Sequence, residues 1–116
     1  MSISSAKRLG STPVALTTAA ANVYNPASGV FGVIKSIHVV NKTGGAVTFS
    51  LWLGATGATG AGTEEWNGQS VPANSIFDWF GNLQLGSSDF LVGLASANTS
   101  LSITLMGEEY LQPPTS

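Results

Sequence analysis

His38 is the only histidine in the 116-residue chain, so a Ser-His-Asp arrangement would have to pass through it. It sits in Ile37-His38-Val39-Val40, the most apolar stretch of the sequence. A ring on a partly covered strand face, with one satisfied hydrogen bond, accounts for it better than catalysis does. A pH-sensitive contact at a subunit interface is the other role open to a histidine there. Carboxylates come as two adjacent pairs, Glu64-Glu65 and Glu108-Glu109. Neighbours on a strand point to opposite faces, so neither pair by itself offers one substrate the two acids a glycosidase needs. A pair drawn from separate segments, such as Asp78 with Glu109, is the remaining carboxylate chemistry. Asp78 and Asp89 read as turn or solvent-facing residues, and no segment is dense enough in oxygen ligands for calcium. There is no cysteine, which removes disulfides and thiolate metal sites. No catalytic residue, cofactor or metal is therefore assigned, and the chain is expected not to be an enzyme.

The aromatic residues are more informative. Trp52 lies on the face of its segment opposite Phe49 and Leu51, shared with Thr48 and Ser50. In Ile76-Phe77-Asp78-Trp79-Phe80 one face holds Phe77 and Trp79 and the other Ile76 and Phe80. Large rings thus fall on both faces. One generous core could take them all; alternatively Trp52, Trp66, Phe77 and Trp79 line a subunit interface, where aromatics are enriched and charge is depleted. A third reading is an exposed tryptophan that stacks on a sugar ring.

The elements that position these residues are strands. Val47-Thr48-Phe49-Ser50-Leu51-Trp52-Leu53 and Leu101 to Met106 alternate apolar and polar residues, as a half-buried strand must. Phe90 to Ala95 is a third strand. Val30 to Asn41 is apolar on both parities, which predicts a strand covered on both sides, one of them by a neighbouring subunit. Pro13 to Thr18, Asn22 to Asn25, Ile76 to Phe80 and Leu83 to Leu85 bring the total to about eight. Turn chemistry separates them at Asn41-Lys42-Thr43-Gly44-Gly45, Val71-Pro72-Ala73-Asn74, Gly86-Ser87-Ser88-Asp89 and Ser96-Ala97-Asn98-Thr99. No segment carries a capped 3.6-residue stripe. The expectation is an all-β, single-domain antiparallel sandwich of jelly-roll type. Residues 1–12 are expected to be a flexible arm, 13–110 the sandwich and 111–116 a proline-terminated tail.

The glycine-rich Gly54 to Gly62 segment has glycine every third residue without collagen's length or proline. It lacks the Gly-Lys-Ser/Thr ending of a phosphate loop, so a surface loop is expected. Four Lys/Arg and six Asp/Glu give 9% charge and a net charge of −2, far below the about 25% of ordinary soluble domains. The basic residues Lys7, Arg8, Lys35 and Lys42 are too few and scattered to neutralise a row of phosphates, so no nucleic-acid partner is expected. Lys7 and Arg8 ahead of Val14 to Ala21 only faintly imitate a secretory leader, since Pro13 and two threonines weaken the apolar stretch. No run of 18 or more apolar residues suggests a membrane span. A surface with so few charges suits packing against other protein.

The run Ile34 to Gly54, with strand, Asn41, small residues and strand in succession, resembles small β-sandwich virion proteins of tailed bacteriophages. The turn Val71 to Asn74, the approach Leu85 to Phe90 and the ending Met106-Gly107-Glu108-Glu109 agree, so the resemblance covers about residues 30–110. It implies a structural role as a capsid decoration (cement) protein or a related head or tail component. The implied partners are copies of itself, as a trimer or higher ring, and the major capsid or other virion proteins. The implied location is the virion, assembled in the host cytoplasm. The candidate contact residues are then Trp52, Trp66, Phe77 and Trp79, with Lys7 and Arg8 tethering the arm to a lattice. A glycan- or receptor-binding module of a fibre or tail is the alternative.

Overall fold

The computed structural model describes residues 7–10, 12–54, 64–98 and 100–111, with no account of the Glu64 side chain. Among these residues there are nine strands and no helix: β1 (Lys7–Arg8), β2 (Val14–Ala15), β3 (Ala21–Tyr24), β4 (Val30–Asn41), β5 (Val47–Gly54), β6 (Glu64–Val71), β7 (Ser75–Leu85), β8 (Phe90–Ala95) and β9 (Leu101–Leu111). They form two antiparallel sheets. One runs β1-β9-β4-β7, with β2 also on β9; the other runs β3-β8-β5-β6.

The pairing has one generating rule. Strands β2 to β5 run antiparallel to β9 to β6 taken backwards, as β2·β9, β3·β8, β4·β7 and β5·β6. This is a single long hairpin wound around a core, the jelly-roll arrangement of two Greek keys. The wound hairpin makes β9 a neighbour of β4 and β8 a neighbour of β5. The all-β sandwich expected from alternation is the fold observed.

The core lies between the sheets. Ile34, Ile37 and Val39 of β4, Phe49 and Leu51 of β5, Leu91 of β8, and Ile103 and Leu105 of β9 are each 1% exposed or less. Fully burying one such side chain is worth about 1.5–3 kcal/mol. The double parity of β4 resolves at a bulge: the register shifts between Ile34 and Ser36, leaving Lys35 exposed. Ile37 and Val39 then face the core, while Ser36, His38 and Val40 face out. Asn41 closes the strand as a buried polar post. Its Nδ2 donates to the carbonyls of Gly45 (2.8 Å) and Val71 (3.0 Å), and its Oδ1 accepts from the Thr43 amide (2.9 Å). One side chain thereby ties the β4–β5 turn to the end of β6.

Three expectations need correction. The arm expected over residues 1–12 is docked from Lys7 onward. Lys7 and Arg8 pair with Gly107 and Met106, Leu9 is 0% exposed, and the Thr12 hydroxyl donates to the Leu9 carbonyl at 2.8 Å. An apolar Leu9 beside an unpaired sheet edge gains more by filling that edge than by staying in water. Residues 1–6 lie outside the described set, as do the tail residues 112–116 and residues 55–63, which include all of the glycine-rich segment but Gly54. The two strands expected at Ile76–Phe80 and Leu83–Leu85 are one strand, continuous through Gly81 and Asn82. Strand β6 was not expected. Gly68 sits there at φ 64°, and its amide donates to Ser50 Oγ at 2.9 Å, so a bulge interrupts the alternation.

Candidate functional site

Two places collect the chemistry-bearing side chains, and both follow from strand parity. The first is the outer face of the β9-β4-β7 sheet. Register sets Thr104 of β9, His38 of β4 and Asp78 of β7 in one row. His38 Nδ1 meets Asp78 Oδ1 at 2.5 Å, with side-chain exposures of 41% and 34%. An acid orienting a histidine beside a hydroxyl is the skeleton of a nucleophilic triad. The described residues hold no hydrogen bond between His38 and a hydroxyl, and the row lies on a sheet face, not in a cleft. The geometry matches the partly covered histidine with one hydrogen-bond partner.

Large apolar side chains share that face with Ser36, Ser102, Gln84 and Glu108. Ile76 is 52% exposed and Phe80 75% exposed, with Val40 half-buried beside Ile76 and Val33 half-buried between Gln84 and Glu108. At the far end Phe31 stacks on Tyr110 with ring centroids 5.2 Å apart, and the Tyr110 hydroxyl donates to Glu108.

The second place is the interior end of the sandwich, where Glu109 points inward, opposite in direction to Glu108. Tyr24 of β3, 4% exposed, donates its hydroxyl to Glu109 Oε2 at 2.6 Å, and Lys7 Nζ lies 2.7 Å from Glu109 Oε1. One carboxylate therefore joins the N-terminal strand and both sheets. The Lys7 contact and then the Tyr24 hydrogen bond hold the Glu109 carboxyl below the usual carboxylate range. Burial, followed by the hydrogen bond to Glu109, pushes the Tyr24 hydroxyl above its ordinary value. Gly32 on the neighbouring strand makes room: a Cβ there would lie 2.3 Å from the Tyr24 oxygen. Asp78 and Glu109, the carboxylates that might have been paired for catalysis, sit on opposite faces of one sheet and do not meet. Among the described residues no group of three or more His, Cys, Asp or Glu is placed to hold a metal ion.

The aromatic candidates divide. Register puts Phe77 opposite Val39 and Trp79 opposite Ile37, on the core side, and Trp66 opposite Leu51. All three are half-buried against the core. Trp66 meets Trp79 edge to face at 5.2 Å and 80°, and Phe77 meets Phe49 at 5.4 Å and 61°. They close the side of the sandwich between β6 and β7. Trp52 alone stands outside the core. It lies on the outer face of its sheet, directly opposite Val92, which is 0% exposed although not part of the central cluster. Lys7 and Arg8 belong to β1, where both are exposed and Lys7 is engaged by Glu109.

The exposed residues that stand out, Ile76 and Phe80, were not among the candidates. Their signal was the alternation in Ile76 to Phe80, which separates two apolar faces without saying which one is inside. Compared with protein-family models, with curated proteins and with solved structures, the chain matches none.

Proposed function

We propose that this chain is a non-enzymatic structural protein of a bacteriophage virion, a self-associating decoration component bound to the capsid exterior. The observation that carries the reading is the pair of large apolar side chains, Ile76 and Phe80, left exposed on the outer face of the β9-β4-β7 sheet, with Val40 half-buried beside Ile76, in a chain of which only 9% is charged. Interface cores have that composition. Jelly rolls are a recurrent choice for viral capsid domains, and a shell that repeats one contact many times needs little from each copy. The sequence resemblance points the same way.

The test is cosedimentation of the purified full-length chain with empty shells of the phage that encodes it. Saturable binding at a fixed number of copies per shell supports decoration; absence of binding contradicts it. A glycan-recognising fibre or tail module is the second reading, because the ring of Phe80 is open to solvent and lectins share this architecture. Binding on a glycan array that is lost in Phe80→Ala, without shell binding, would favour it.

A further inference from the structure

The outer face of the β9-β4-β7 sheet carries a projection and a recess on the same surface. Phe80 is the projection. The recess is a hollow of about 300 Å³ lined by Ala15, Val40, Lys42, Ser100, Leu101 and Ser102. That is roughly twice the ~150 Å³ of an apolar cavity known to hold benzene, so a phenyl ring fits. Resting on the proposal that the chain self-associates, we infer that this face docks a second copy of the chain across a two-fold axis, each Phe80 seated in the other copy's hollow.

The pairing register supplies the geometry. Rows across the sheet run Ala15-Ser102-Val40-Ile76, then Thr104-His38-Asp78, then Arg8-Met106-Ser36-Phe80. Projection and recess are thus four residues apart along the strands, about 13 Å, and at opposite sides of the sheet. The point midway between them falls on His38 of the central strand. A two-fold axis that lies in the contact plane, passes over His38 and runs perpendicular to the line joining the two features exchanges them, which makes the contact self-complementary and closed.

Charge distribution agrees. Near the axis Asp78 is engaged by His38. Of the remaining charges, Lys42 lines the hollow, placed for a cation–π contact with a seated phenyl ring; Arg8 lies on the edge strand β1, and Lys35 and Glu108 lie beyond the Phe80 row toward the Val30 end of β4. An axis at His38, three residues from the Asn41 end of β4, overlaps only the neighbouring part of the two faces, roughly 400 Å² per copy, so the pair buries about 800 Å², the size of a weak, transient contact.

The experiment is light scattering and sedimentation equilibrium on the full chain and three variants, with circular dichroism melts to confirm folding. Phe80→Asp removes the projection, Ser102→Trp fills the recess, and Ser70→Asp alters the other sheet. The wild type is expected to form an even-numbered assembly. Phe80→Asp and Ser102→Trp should each weaken it by about tenfold or more, and Ser70→Asp should not. Mixing the Phe80→Asp and Ser102→Trp chains should restore association that neither has alone, because that heteropair keeps one intact projection and one intact recess. A lone trimer, or an assembly indifferent to both variants, overturns this contact while leaving self-association standing. A monomeric wild type that still binds shells overturns the contact and not the virion role; a monomer that binds no shell overturns both.

Discussion

The Tyr24 hydroxyl and the Glu109 carboxylate, 85 residues apart in sequence, share a 2.6 Å hydrogen bond that crosses from one sheet of the sandwich to the other. Lys7 completes the contact from the first described strand. The acid that sequence offered as a catalytic partner is thus engaged in holding the fold closed.

The pH dependence of stability follows from this contact. Glu109 has a lowered folded value, so its contribution is present above the ordinary carboxylate value of about 4.3 and is lost as pH falls through the folded value. Tyr24 has a raised folded value; its contribution holds below the ordinary tyrosine value of about 10 and is lost as pH rises beyond it. Urea melts across pH should show both losses in the wild type, with the acid loss flattened in Glu109→Gln and the alkaline loss in Tyr24→Phe. Tyr24→Phe should cost about 1–2 kcal/mol at neutral pH, whereas Lys7→Ala, at an exposed ion pair, should cost less than about 1 kcal/mol. Equal losses in the two variants would contradict the buried role of Tyr24.

Trp52 and Trp79 should behave differently on truncation. Trp79→Ala empties a half-buried site against the core and should destabilise the isolated chain by about 3 kcal/mol. Trp52→Ala, outside the core, should leave the melting midpoint nearer the wild type and reduce shell binding. If Trp52→Ala unfolds the chain and Trp79→Ala does not, the assignment of faces is reversed.

Asn41 makes its contacts from a 1% exposed position. Asn41→Ala should therefore cost about 3 kcal/mol, since several carbonyl and amide partners at two turns lose their bond at once. Denaturant midpoints at constant slope check this. A change below about 0.5 kcal/mol would mean that water replaces the side chain without penalty.

His38 and Asp78 form an exposed pair, so His38→Ala should shift stability by less than about 1 kcal/mol. The same variant tests the hydrolase alternative: a hydrolytic turnover abolished by His38→Ala, on a panel of ester and glycoside substrates, would contradict the structural role.

Much of the architecture was legible because alternation is a local property. Val30–Asn41 and Phe90–Ala95 are strands over the very ranges the pattern marks. Strand β6 was hidden because Asn67-Gly68, a dipeptide typical of turns, here forms a bulge inside a strand. The docking of Lys7 to Leu9 was hidden because its partners, Met106 and Gly107, lie at the other end of the chain. The same limit governs the candidate site. Alternation separates Phe77 and Trp79 from Ile76 and Phe80, but only pairing with Val39 and Ile37 decides which set is inside. His38 meeting Asp78, 40 residues on, likewise depends on register.

The central claim is that protein covers this charge-poor exterior. Sedimentation velocity of the full-length wild type, from micromolar to millimolar concentration, tests it most directly. The account predicts a discrete assembly several times the 11.8 kDa of one chain, growing in population with concentration. A single species of one chain's mass throughout would contradict it.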